Sequence, residues 1–183
     1  MERIAGGKAV SRLGDAGGLA AIEFAFIAPL LILAYFAVAE LCGAMLAQRK
    51  TSHIAAAIGD LTTQYSSLKT GDMGNVFAAG QAMMAPNSTT SLKMRISVVQ
   101  ENAQGTAATV LWSCASSNWT ALATGTPETL QPNLITANQS VVMAEARYAY
   151  SAPVSFLLPN AFNYSDVFYL RPRLVDPIPA PVC

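Results

Sequence analysis

Gly17-Gly18-Leu19-Ala20-Ala21-Ile22-Glu23-Phe24-Ala25-Phe26-Ile27-Ala28-Pro29-Leu30-Leu31-Ile32-Leu33 decides how the rest of the chain is read. A small-residue break precedes a long apolar run with one carboxylate near its start. From Phe24 to Ala39 no residue is charged, and Glu40 then interrupts. Leu19 to Ala47 is 29 residues, which as a helix is roughly 43 Å long. The hydrocarbon core of a bilayer is about 30 Å thick. The stretch therefore predicts one helix that spans a membrane and overshoots it, with Glu40 near the far interface. Pro29 removes one helical hydrogen bond and predicts a kink. Glu23 is the anomaly. An ionised side chain at a membrane-helix centre costs about 2.5–3.5 kcal/mol on insertion scales, and intramembrane charges usually have a partner or a function. A plain anchor gives no reason for Glu23, unless it snorkels to the headgroups from an uncleaved helix.

Residues 1–18 are small, polar and glycine-rich, with Arg3, Lys8 and Arg12. They read as a basic leader and stay outside the fold argument; the plainer reading is an unprocessed terminus. Gly18, Leu19 and Glu23, with the apolar run behind them, resemble the cleavage region of type IV pilins and pseudopilins. That resemblance implies a cut after Gly18 by a prepilin peptidase. Leu19 becomes the new N-terminus and Glu23 the fifth residue of the mature chain. Arg49 and Lys50 flank the far side of the helix, so basic residues on both sides leave the orientation open. The leader reading keeps the N-terminus cytoplasmic. Ala37-Val38-Ala39 fits an ordinary signal peptidase, a match that alanine-rich sequence produces easily by chance. Ala39-Glu40-Leu41-Cys42 is a poor lipoprotein signal, and Cys42 reads as a membrane-buried thiol.

The 183 residues suggest one modest domain plus an appendage. The chain is 52% hydrophobic and 12% charged, and the charged share is about half of the roughly 25% usual in soluble proteins. Eleven basic residues balance eleven acidic ones, so no basic excess points to nucleic acid. Cys42, Cys114 and Cys183 are too scattered for a zinc site. No nucleophile elbow, no glycine-rich phosphate loop after a strand and no usefully spaced carboxylate pair is present. The expectation is a protein with no catalytic residues, no cofactor and no metal. His53 stands alone and reads as a polar-face histidine.

Beyond the membrane the helix continues. Ile54, Ile58, Leu61, Tyr65 and Leu68 form one apolar stripe, opposite His53, Asp60, Thr63, Gln64 and Ser67. Gly59 weakens that helix by about 1 kcal/mol relative to alanine without ending it. Thr70-Gly71-Asp72 predicts a turn, with Asp72 capping a second helix. Met73, Val76, Phe77, Gly80, Ala82, Met83 and Met84 give this helix its apolar side, and Pro86 ends it. The pattern then changes to period two. Leu92, Met94, Ile96 and Val98 predict a strand, and Asn102–Gly105 a turn. Ala108, Val110, Trp112 and Cys114 complete a hairpin. Residues 115–139 read as an exposed loop. A third strand presents Val142, Ala144, Ala146, Tyr148 and Tyr150 to the core and turns Glu145 and Arg147 away. Val154 to Leu158 reads as an apolar connection. Val167 to Leu174 predicts a fourth strand, held to an edge by Pro172.

Several pieces together resemble the TadE-like family, the minor pilins or pseudopilins of the tight-adherence pilus. They are Gly18-Leu19-Ala20-Ala21-Ile22-Glu23-Phe24 with Pro29, Ala57-Ile58-Gly59-Asp60-Leu61, Met84-Ala85-Pro86, Val110-Leu111-Trp112-Ser113, Ala144–Tyr150 and Arg171-Pro172-Arg173. The resemblance implies a bacterial inner-membrane protein, single-pass, with its C-terminal domain in the periplasm. Its implied partners are other pilins, pilus assembly proteins and a prepilin peptidase. The fresh amine at Leu19 would carry a positive charge into the membrane, where Glu23 of a neighbouring subunit pairs with it.

The expected fold is α+β. Residues 1–18 form a leader, 19–48 a transmembrane helix and 49–183 a pilin-like domain of a short second helix and a three- or four-stranded antiparallel sheet. Small domains outside the cytoplasm often carry a disulfide. Cys114 and Cys183 are the only pair in the soluble part; the plainer alternative is two unrelated thiols. A competing function is a secreted or membrane-anchored periplasmic binding protein with an ordinary signal sequence, using residues 115–139 as a ligand loop.

Overall fold

A computed structural model describes residues 15–152 and 162–183, with side chains from residue 18 onward. Residues 1–14 and the connection from Val154 to Leu158 lie outside the described residues. The described chain divides between Leu41 and Cys42 into two compact units. Its elements are α1 (Asp15–Thr63), α2 (Asp72–Met84), β1 (Lys93–Glu101), β2 (Ala108–Ala115), β3 (Pro127–Glu128), β4 (Ser140–Tyr150) and β5 (Phe162–Leu170). The architecture is α+β, with one antiparallel sheet in the order β3-β2-β1-β4-β5.

α1 is one helix of 49 residues with Pro29 inside it. Gly17 and Gly18 belong to it, so the small-residue stretch does not break the helix. In the second unit α1 buries Ala44, Ala47, Thr51, Ile54, Ala55, Ile58 and Thr62. These positions recur at three- and four-residue steps, the period of one helix face. The expected stripe is corrected at its end. Leu61 is exposed, Thr63 is buried, and Tyr65 and Leu68 lie past the helix. Thr51, Thr62 and Thr63 are tolerated inside because their hydroxyls donate to the carbonyls of Ala47, Ile58 and Asp60, as buried polar groups require.

α2 buries Met73, Val76, Phe77, Gly80 and Met84, while Ala82 and Met83 face solvent. Its N-cap is Gly71 at φ 94°, not Asp72. Glycine takes this left-handed conformation without a Cβ penalty. The Asp72 carboxylate instead accepts from the Lys69 amide at 2.7 Å. At the other end Lys50 donates from α1 to the carbonyls of Met84 and Ala85, which satisfies orphan acceptors of the last turn.

Helices and sheet meet in one core. Ile54, Ile58, Met73, Val76 and Met84 pack with Met94, Ile96, Val98, Trp112, Cys114 and the expected inner face of β4, Val142 to Tyr150. Close approach depends on Gly59. A Cβ there would lie 2.6 Å from Leu170 Cδ1 and 2.9 Å from Ala144 Cβ. The substitution Gly59→Leu should therefore destabilise the domain by about 1–3 kcal/mol, the usual cost of overpacking. Thermal unfolding of the full chain in detergent checks this; an unchanged Tm would refute the tight packing.

β2 serves two cores. The register runs Val98 with Trp112 and then Val99 with Val110, so Leu111 is an extra residue on β2. A bulge of this kind re-aims the strand. Trp112 and Cys114 enter the helix-side core, whereas Ala108 and Val110 join Val99, Ile135, Val141 and Met143 on the opposite face. Alternation alone had put all four on one face.

Residues 115–139, expected as an exposed loop, are corrected: Ala115 ends β2, and the segment after it is a cover. Leu122, Leu130 and Ile135 pack on that second cluster, and Pro127–Glu128 pairs with β2. The cover explains why Glu145 is 6% exposed rather than solvated. β5 starts and ends earlier than expected, at Phe162 and Leu170, and is an edge strand that stops before Pro172.

Candidate functional site: the N-terminal apolar segment

From Gly18 to Ala39 nearly all side chains of α1 point outward without cover. Leu19, Ile22, Leu30 and Tyr35 are exposed, and Phe24 and Phe26 are 70% and 79% exposed. A helix apolar on all sides is at home only in lipid or among other helices. Among the described residues α1 is the one helix long and apolar enough to cross a membrane.

Glu23 sits in this surface, exposed and without a hydrogen bond or ion pair among the described residues. Leu19 lies one helical turn before it. Gly18 is equally open: a Cβ there would meet nothing within 4 Å. That separates it from Gly43, Gly59 and Gly80, where a Cβ would press on Tyr150, on Ala144 and Leu170, or on Met94. Packing explains those three glycines and gives no reason for Gly18. At the other end of the run Glu40 is buried, and neither carboxylate oxygen has a hydrogen-bond partner among the described residues.

Residues 18–59 match the family model described as TadE-like protein. This segment is TadE-like. The match begins at the unexplained glycine and ends at the glycine on which Ala144 and Leu170 close. The likeness is confined to this segment, 42 of the 183 residues. No match was found among curated proteins or among solved structures.

Outside the TadE-like segment the structure joins the cysteine pair expected from the sequence and brings together other residues that the sequence left apart. Cys114 and Cys183 are joined in a disulfide with Cα atoms 5.7 Å apart, while Cys42 is a free, exposed thiol. Trp112 donates through Nε1 to the Ile178 carbonyl at 2.8 Å. Asp176 accepts from the Ser140 amide at 3.1 Å and from its hydroxyl. Arg171 donates to the Leu134 carbonyl, and Arg173 pairs with Asp60 at the end of α1. On the outer face of the sheet Arg95 grips Glu145, through Nε to Oε2 at 2.5 Å and NH2 to Oε1 at 2.9 Å. Trp119 stacks beside both Arg95 and Arg147, at 4.4 and 4.7 Å from its ring centre.

Burial, then the charges of Glu128 and Glu145, hold the Tyr169 phenol above its ordinary value. His53 is exposed on α1. No group of three metal-ligating side chains occurs among the described residues. A shallow groove of about 460 Å³ opens beside the covering segment, lined by Glu101, Thr106, Glu128 and Asn133 among others.

Proposed function

We propose that the protein is a minor pilin or pseudopilin of the tight-adherence pilus. A prepilin peptidase removes residues 1–18, and the mature chain begins at Leu19. The single observation that carries this reading is the pairing of a TadE-like segment with a glycine at its first residue that packing does not need. A peptidase that cuts after Gly18 must approach the backbone closely, and the absence of a Cβ allows it. The apolar run then anchors the subunit in the inner membrane, with the C-terminal unit in the periplasm.

Glu23 has the assembly role. The amine of a neighbouring Leu19 carries a positive charge, and in lipid the two charges compensate each other better than either is solvated. The pairing sets the stagger between adjacent helices. The exposed phenylalanines around Glu23 supply the apolar surface against which those helices pack.

N-terminal sequencing of the protein from membranes tests the reading. Leu19 as the first residue supports it, Glu40 supports a secreted protein, and Met1 an uncleaved anchor. Gly18→Trp should abolish processing, so that the variant runs only at precursor size; a mature-sized band would refute the cut site. In the processed chain Glu23→Ala should leave insertion intact and reduce co-purification with partner pilins at least several-fold. Undiminished pilus formation in that variant would refute the pairing.

A further inference from the structure

The sheet register places Lys93 of β1 directly opposite Arg147 of β4, and Arg147 opposite Ser165 of β5. Two like charges directly opposite on one sheet face destabilise the pairing. The nearest acid in register gives no relief, because both oxygens of Glu145 are held by Arg95. Asp166 is paired in register with Ala146, which faces the helix-side core. Lys93 and Arg147 are exposed and have no acidic partner among the described residues. Between them lies a groove of about 510 Å³, lined with Ser91, Asn163, Tyr164 and Ser165 and by no carboxylate. Trp119 lies against the Arg147 guanidinium at 4.7 Å, which steadies it while leaving its in-plane N–H groups free.

We infer that this groove binds a phosphate group, and that the phosphate is the headgroup of an anionic phospholipid. Arginine and lysine together are the usual recognition pair for phosphate oxygens, and the Ser165 hydroxyl and the Asn163 amide beside them extend the donor set. The position favours the lipid source. The Tyr150 hydroxyl occupies the space a Cβ at Gly43 would need, and Gly43 lies four residues beyond Ala39, where the uncharged run of α1 ends. Arg147 is three strand steps from Tyr150, about 10 Å along β4. An anionic leaflet attracts basic residues that lie close to its surface. The inference depends on α1 spanning a membrane and not on pilus assembly.

Lysine acylation tests it, with the full chain reconstituted in vesicles and the products read by peptide mass spectrometry. Lys69, exposed in the connection between α1 and α2, is the internal standard. In phosphatidylcholine vesicles containing phosphatidylglycerol, labelling of Lys93 relative to Lys69 should fall several-fold below its value in phosphatidylcholine alone. Arg147→Gln, at an exposed position, should abolish that protection. Equal labelling in both lipids overturns the proposal, as does protection that survives Arg147→Gln. Inorganic phosphate added to phosphatidylcholine vesicles is the third arm. Protection there as strong as with phosphatidylglycerol would assign the groove to a free oxyanion and overturn the headgroup source.

Discussion

Glu145→Ala should destabilise the C-terminal unit by about 3–5 kcal/mol, the range for removing one partner of a buried ion pair. The side chains of Arg95 and Glu145 are 13% and 7% exposed. With Glu145 gone, the guanidinium keeps the Thr120 carbonyl at 3.3 Å and the Trp119 face, and loses its counter-charge. The cost comes from the stranded cation, not from the worth of the pair. The double variant Arg95→Met with Glu145→Leu should therefore recover most of the loss, since apolar replacements of a buried pair are often neutral. Equilibrium unfolding of both variants decides the matter. Equal destabilisation of single and double variants would place the cost in packing instead.

Much of the fold was legible because period and charge agreed. The alternation in β1 and β4 pointed to two strands, and the face with Tyr148 and Tyr150 reached the helices as expected. What escaped was decided by contacts distant in sequence. Glu145 and Arg147 both sit on the outer face of β4. Only the first is buried, because the segment after β2 folds over it. A segment rich in Ser, Thr, Asn and Pro carries no periodic signal, so Leu122, Leu130 and Ile135 gave no warning of a second core. Leu111 escaped for the same kind of reason. A bulge is an offset between two strands, and one strand read alone does not contain it. Thr63 was assigned outward by its polarity, which its bond to the Asp60 carbonyl satisfies locally.

The candidate site divides in the same way. Glu23 was visible because a carboxylate in an apolar run violates composition. Gly18 and Gly59 look alike in sequence, yet one lies in open space and the other under Ala144 and Leu170. Distinguishing a glycine kept for packing from one kept for another reason takes the neighbours across the fold. The Lys93–Arg147 pair is likewise a property of register. The two residues are 54 positions apart, and only the shared ladder makes them opposite each other.

Cys183→Ser should lower the stability of the C-terminal unit by about 4 kcal/mol, because the bond to Cys114 closes a loop of roughly 70 residues in the unfolded chain. The native contacts of the tail decide how the loss shows itself. Pro177, Pro179 and Pro181 bar the last residues from a ladder, so ties of other kinds hold the segment after β5. Among them are the Arg171 bond to the Leu134 carbonyl, the Arg173–Asp60 pair, the Asp176 bonds to Ser140, the Trp112 bond to the Ile178 carbonyl and the disulfide. Ile178 is buried and so contributes its own burial, about 1.5–3 kcal/mol. Without the disulfide the first ties persist and the tail stays docked at low temperature. On heating, the Cys183→Ser chain should unfold about 8–16 °C below the wild-type chain, given 2–4 °C per kcal/mol for a domain of this size. Reductant should lower the wild-type Tm to the same value and leave the variant unchanged. Trp112 reports the order of events: its emission should stay blue-shifted after reduction and move to the red only at the transition. A red shift on reduction alone would show that the disulfide, rather than Ile178 and Asp176, keeps the tail against the sheet. An unchanged wild-type Tm in reductant would show that the bond does not restrict the unfolded chain as its loop length requires.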